Sequence, residues 1–353
     1  MAVERLVSPA AQPAETDQPE LNWSLRPARL SEYIGQPELI ERLSISMEAA
    51  KRRKEPMEHV LLHGPPGLGK TTLAHVIAQE MGCKVHLTSG PALTRPTDLV
   101  GVLTQLRAGD VLFIDEVHRV PIAVEEFIYP AMEDFRIDVK TDSGMHAQTI
   151  QIGLKPFTLI GATTRAGLVS APMRSRFGIA GNLRYYTAEE LLIILERSCR
   201  LLSVCAEGEG GREALAHIAA RSRGTPRIAN RLLRWVRDFA AVRGQADGSL
   251  TGSVVAEALK LEGIDDRGLD ELDRRYLRAI ATTYQGGPVG LEAVAATLNE
   301  DSGTLEDVVE PYLLQIGFLA RTRRGRALTA DGARHIGMPS AASSFVDRDA
   351  ELF

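Results

Sequence analysis

The chain has 353 residues, 44% of them hydrophobic and 25% charged, with a formal net charge of −5. That apolar mass supports two or three packed domains. The negative balance excludes a protein that coats nucleic acid with its whole surface, so any DNA contact must come from a local patch.

The first 21 residues, rich in Ala, Pro, Glu and Gln, predict a flexible N-terminal tail with no hydrophobic secretory segment. Residues 22–186 alternate strand and helix patterns. The apolar runs HVLLH (59–63), DVLFID (110–115) and FTLIGAT (157–163) read as buried strands, and TTLAHVIAQEMG (71–82) as an amphipathic helix closed by Gly82. The expectation is an α/β domain with a parallel sheet covered on both faces. Between the last two strands, residues 135–153 alternate around Asp142-Ser143-Gly144 and predict a hairpin that projects from the domain instead of filling its core. Residues 187–263 predict a small helical domain. It begins with a Thr187–Glu190 capping box and includes a helix with Ile228, Leu232, Trp235, Val236 and Phe239 on one face. Residues 264–340 predict short helices and then a basic turn, a winged-helix pattern, with a C-terminal tail at 341–353. No apolar run reaches the roughly 18 residues of a membrane span. Cys83, Cys199 and Cys205 lack metal-site spacing and predict free thiols. A cytoplasmic location is expected.

HGPPGLGKTT (63–72) satisfies G-x-x-x-x-G-K-[ST] between a strand and a helix, the context that motif needs. Glycines such as Gly64, Gly67 and Gly69 let backbone N–H groups turn toward phosphates, and the helix N-terminus adds positive potential. Lys70 is placed to reach β- and γ-phosphates, and the Thr71 hydroxyl to ligate Mg²⁺. DVLFIDE delivers Asp115, expected to orient the hydrated metal, and Glu116, expected to polarise the attacking water. Thr163 or Thr164, ending the next strand, could hydrogen-bond the γ-phosphate or that water. Arg227 sits where a cation opposes the helix dipole, which suggests an anion nearby, with ATP the candidate. Arg174 and Arg176, in APMRSRFG, either form a surface pair or reach into a neighbouring subunit's site.

These stretches, with YIGQPE, TSGPAL, EEFIYPAMEDF, GGPVGLEAVAATL and EPYLLQIGFLARTRRGR, resemble the AAA+ ATPases. Within them they closely resemble the RuvB family of bacterial Holliday-junction branch-migration motors, over nearly all of residues 25–335. The resemblance implies a homo-hexameric ring that binds ATP and Mg²⁺ and pulls duplex arms of Holliday-junction DNA in recombination and repair. It also implies a RuvA-like junction-binding partner and a RuvC-like resolvase in the same complex. Arg176 would then act in trans on a neighbour's γ-phosphate, with Arg174 supporting the interface. Leu25, Arg26, Thr72 and Tyr186 would contact nucleotide, as would Glu133, Asp134 and Phe135 across the ring. Arg321, Arg324 and Arg326, with Arg323 and Gly325, would meet DNA phosphates without reading bases. The sequence departs from the family pattern in a more polar hairpin, in Trp235 where arginine is commoner, and in RSRFG for the commoner RDRFG. A protein-remodelling or clamp-loading AAA+ ATPase would share the ATP site without needing the basic wing. A winged-helix regulator using nucleotide as a switch would need neither Glu116 nor Arg176.

Overall fold

In a computed structural model, the three apolar runs become adjacent central strands, because only an interior position buries a run with no polar face. The structure describes residues 25–140, 149–204, 206, 208–243 and 249–338. Strands β1 (Val60–His63), β2 (Val85–Ser89), β3 (Val111–Asp115), β6 (Thr158–Thr163) and β7 (Ile179–Asn182) form a parallel sheet in the order β2-β3-β6-β1-β7. Between β3 and β6, the chain forms an antiparallel hairpin of β4 (Arg136–Lys140) and β5 (Thr149–Gly153). The pleat divides the core in two: Val60, Leu62, Val111, Phe113, Ile160 and Ala162 face one cluster, while Leu61, Leu112, Ile114 and Leu159 face the other. The register brings His63 beside Thr163, and Ser89 beside Asp115, so the polar strand ends emerge along one edge.

Both outer strands escaped the sequence reading for a physical reason. β2 is only partly buried along its length, and β7 alternates buried and exposed residues through Gly181, so neither is a continuous apolar run. The hairpin also corrects an expectation. Its base does not simply project, since Ile137 is fully buried in the second cluster and Phe135 meets Phe157 edge-on at 5.8 Å. The expected turn at Asp142-Ser143-Gly144 lies outside the described residues.

The helices of the large domain are α1 (Pro37–Arg53), α2 (Lys70–Met81), α3 (Pro96–Leu103), α4 (Ile122–Glu133) and the short α5 (Ala171–Arg174). A helical unit follows, of α6 (Ala188–Leu202), α7 (Gly208–Ala220), α8 (Pro226–Arg243) and α9 (Gly252–Leu261). The Thr187 capping box starts α6: Thr187 Oγ1 accepts from Glu190 N, and Glu190 Oε2 accepts from Thr187 N at 2.9 Å. Trp235 packs between α8 and α9 and donates Nε1–H to Ala258 O at 2.8 Å, so it is a packing residue on the helix face. Cys83 and Cys199 are free, and burial pushes the Cys199 thiol up to about 11. Cys205 lies outside the described residues.

The last segment has its own core around the fully buried Tyr276 and Leu277. It comprises α10 (Glu271–Thr282), α11 (Leu291–Leu298), a π-turn at Leu305–Val309 leading into α12 (Glu310–Gln315), the hairpin β8 (Leu319–Thr322) and β9 (Gly325–Leu328), and α13 (Ala330–His335). Arg223 joins it to the helical unit. Its guanidinium donates to Gly268 O at 2.7 Å, to Asp273 Oδ2 at 2.6 Å and to Asp270 Oδ2 at 2.9 Å.

Candidate nucleotide and DNA sites

The phosphate loop connects β1 to α2, and its glycines are required by space as well as conformation. Gly67 has φ +79°, and a Cβ there would stand 2.7 Å from Thr225 Cγ2. Gly69, at φ +98°, would place one 2.9 Å from Tyr33 Oη. Lys70, the first residue of α2, is buried and donates Nζ–H to Gly64 O at 2.8 Å and to Pro65 O at 2.9 Å. Burial lowers its pKa, Glu116 and Asp115 pull it back up, and Arg227 pushes it down again.

Asp115 ends β3, where burial raises its pKa although Glu116 N donates to its Oδ1 at 3.0 Å. Glu116 follows with φ +46°, a left-handed conformation costly for a side chain with Cβ and found preferentially at functional sites. Its Oε2 accepts from Thr164 Oγ1 at 3.2 Å and Thr164 N at 3.4 Å, and lies 3.1 Å from His118 Nδ1. The structure separates the two threonines that the sequence left open. Thr164 lines the cavity, whereas Thr163 is fully buried with its Oγ1 2.8 Å from His118 Nδ1.

One cavity gathers most of the expected residues: Leu25, Arg26, Gly67, Gly69, Lys70, Thr71, Thr72, Asp115, Glu116, Thr164, Tyr186 and Arg227 all line it. It is closed by residues that motif reading missed, among them Glu32, Ile34, Ile194, Arg197 and Asn230. Arg197 NH2 donates to Arg26 O at 2.9 Å, and Asn230 Oδ1 accepts from the buried Ser198 Oγ at 2.7 Å. Ile194 and Arg197 are three residues apart on α6, so the capping box that phases this helix was the available signal. Tyr33 was also missed; Tyr186 Oη lies 3.2 Å from both Tyr33 Oη and Leu68 O, and burial raises the pKa of both phenols.

The cavity suits a nucleotide. Its glycine cradle leaves no room for side chains, and a buried lysine caps the loop carbonyls. Thr71 and Asp115 offer hard oxygen ligands of the kind Mg²⁺ takes together with phosphate and water.

Arg176, Glu133, Asp134 and Phe135 do not line this cavity. They cluster elsewhere. Arg176 NH2 is 3.2 Å from Glu133 Oε1, NH1 donates to Pro172 O at 2.7 Å, and the guanidinium lies 4.3 Å over the Tyr129 ring. Its Nε is buried with no hydrogen-bond acceptor among the described residues. Asp134 pairs with Arg136 at 3.1 Å. Arg174 is spent locally, donating to Ala166 O at 2.7 Å and Val169 O at 3.1 Å.

Two arginines of the wing are engaged within their own domain. Arg321 and Arg326 sit opposite each other on β8 and β9, and both turn to Glu310, which is fully buried. Arg326 Nε donates to Glu310 Oε1 at 2.8 Å and Arg321 Nε to Oε2 at 3.0 Å, while Tyr276 Oη donates to Oε1 at 2.6 Å. Burial alone would raise the Glu310 pKa; Arg326, Tyr276 and Arg321 together outweigh it and hold the carboxyl below its usual range. Arg326 is held in this intradomain pair with its side chain only 18% exposed, whereas Arg324 stands exposed at the turn.

Three family models match successive segments of the chain. The Holliday junction DNA helicase RuvB P-loop domain covers residues 25–183, the RuvB AAA lid domain 186–265, and the RuvB C-terminal winged helix domain 266–337. The chain belongs to the RuvB family. A curated relative from Kosmotoga olearia, a Holliday junction branch migration complex subunit RuvB, is 52% identical over 92% of this chain and 94% of its own length. Its counterpart from Limosilactobacillus reuteri is 51% identical over 92% and 95%. Among solved structures, the Thermotoga maritima RuvB Holliday junction branch migration motor is 49% identical with a TM-score of 0.80, covering 89% of this chain and 99% of that one. The chain is thus an AAA+ P-loop ATPase of known family architecture, with a parallel sheet, a helical lid and a winged helix. No helix among the described residues is long and apolar enough to cross a membrane.

Proposed function

We propose that the chain is the ATP-driven motor of a Holliday-junction branch-migration complex, pulling duplex arms during recombination and repair. The observation that carries this reading is the convergence of Lys70, Thr71, Asp115, Glu116, Thr164 and Arg227 on one lid-closed cavity, in a chain that also carries the family's winged helix. Lys70 and the loop N–H groups hold the β- and γ-phosphates, and Arg227 reaches them from the lid. Thr71 and Asp115 hold Mg²⁺, which neutralises charge on the phosphates when bound. Glu116 polarises the attacking water, and Thr164, which here donates to Glu116, is placed to turn toward the γ-phosphate instead.

The motor works as a homo-hexameric ring in the cytoplasm. Arg176 and the Glu133–Phe135 turn, which do not line the nucleotide cavity of their own chain, face the neighbour's nucleotide. Arg324 and Arg323 at the wing meet DNA phosphates, with Arg321 contributing its exposed side. The domains divide as 22–186, 187–263 and 264–340. A RuvA-like protein presents the junction and docks through the β4–β5 hairpin, and a RuvC-like resolvase completes the complex.

The test is ATP-dependent dissociation of a synthetic four-way junction, with and without a RuvA-like protein, with Lys70→Ala as the blank. Dissociation requiring both ATP and partner is expected. ATP turnover that leaves the junction intact would remove the motor reading and leave only the ATPase.

A further inference from the structure

Arg165 is the second residue after β6, and it faces two ways. Its backbone N donates to Thr163 Oγ1 at 3.0 Å. That oxygen lies 2.8 Å from His118 Nδ1, itself 3.1 Å from Glu116 Oε2. Its guanidinium reaches out of the large domain, donating to Asp307 Oδ1 at 2.6 Å and to Glu306 Oε2 at 3.4 Å. Both acids stand on the π-turn of the winged-helix domain, an uncommon turn type that recurs at functional sites. Leu305 and Val309 bury the ends of this turn in the winged-helix core, so the two acids move with that domain. Glu306 also faces the wing, 3.7 Å from Arg321 and 3.9 Å from Arg326.

We propose that Arg165 is a positioning residue for hydrolysis: its pairing with Asp307 and Glu306 ties the winged-helix domain to the strand end that holds Glu116. A DNA phosphate drawing on Arg321 withdraws that cation from Glu306, leaves Glu306 to Arg165, and seats the strand end more firmly. DNA is then felt as a change in turnover, not in nucleotide affinity. Arg165 does not line the nucleotide cavity; it acts through Thr163 and His118 on Glu116. Because the pair is partly exposed, with Arg165 39% and Asp307 55% exposed, its effect is a modulation of a few-fold and not an on–off switch.

The inference rests on the DNA-motor reading, and the experiment separates the two. Steady-state ATP turnover of the full chain is measured at saturating ATP, without DNA and with saturating duplex, for the parent, Asp307→Asn, Arg165→Ala, Arg165→Lys, Arg165→Asp alone and the exchange Arg165→Asp with Asp307→Arg. Asp307→Asn is expected to keep the parent's DNA-free turnover and KM for ATP while losing about threefold of the stimulation by DNA. Arg165→Ala loses the same stimulation, Arg165→Lys retains it, and the exchange recovers at least half of what Arg165→Asp alone loses. Parental stimulation in Asp307→Asn, or an exchange no better than Arg165→Asp alone, overturns the proposal while leaving the motor intact. A parent that DNA does not stimulate overturns both.

Discussion

The nucleotide cavity and the wing were announced by equally conspicuous stretches of sequence, yet they folded with different fidelity to that announcement. In HGPPGLGK the glycines and the lysine answer to a backbone or steric demand: φ +79° at Gly67, φ +98° at Gly69, a lysine at the first turn of α2. Such residues can occupy only one arrangement, and twelve of the expected contacts meet in one cavity, from Leu25 to Arg227. In RTRRGR the signal was charge alone. Charge does not say which way a side chain points, and two of the arginines turned inward to a buried glutamate ten or more residues upstream in the chain. Motifs constrained by conformation locate residues; charge clusters only nominate them.

The sharpest test of that contrast is Arg176, nominated by resemblance and absent from its own chain's cavity. Arg176→Ala should lower ATP turnover by about 10³–10⁵-fold with nucleotide binding retained, as for arginines acting in trans. Mixing Arg176→Ala with Glu116→Gln chains should then restore turnover, since each supplies what the other lacks at a shared site. Mixed chains as inactive as either parent would place Arg176 outside the neighbour's site. Next in size, Arg326→Ala breaks a buried ion pair and should cost the winged-helix domain about 3 kcal/mol in chemical denaturation, with ATP turnover preserved. An unchanged midpoint would return Arg326 to the surface-charge class.

Arg324→Ala should do the reverse, leaving denaturation unchanged. It should lower duplex affinity for all sequences alike and reduce the slope of log affinity against log salt by about 0.9. The last effect is read against pH and concerns Asp273. Burial pushes its carboxyl up to about 7 against an ordinary 3.8, although Arg223 pulls it the other way. A raised acid contributes stability that is present below its unfolded value and lost as pH rises through its folded one. The melting temperature of the winged-helix domain should therefore decline between about pH 4 and 7, and Asp273→Asn should flatten that decline. Glu310 has the opposite sign, since its lowered pKa makes its contribution fade toward acid. A pH dependence that Asp273→Asn makes steeper in its decline, instead of flattening it, would show Arg223, not burial, to govern Asp273.

Much of the fold was legible because β1, β3 and β6 are buried on both faces and read as unbroken apolar runs. β2 and β7 were not, because an edge strand shares its surface with solvent and loses that signature. At the site, the P-loop and strand-end acids were plain, since chemistry restricts them to few residue types. Asn230 was hidden because a lid contributes whichever side chains its helices turn inward, and Ile194 and Arg197 were reachable only through the capping box that phases α6. The choice between Thr163 and Thr164 was also beyond sequence, resting on a single residue's phase at a strand end.

The Glu310 cluster has a mechanical meaning. A hairpin of four-residue strands is, by itself, a soft handle that would bend before it passed on any load. Here each strand is bolted at mid-length to the first residue of α12, and through Tyr276 to α10, by bonds to a fully buried carboxylate. Tension applied at the tip of the wing would travel into two helices and on through Arg223 to the lid, so the short β-ribbon behaves less like a finger than like the claw of a hammer.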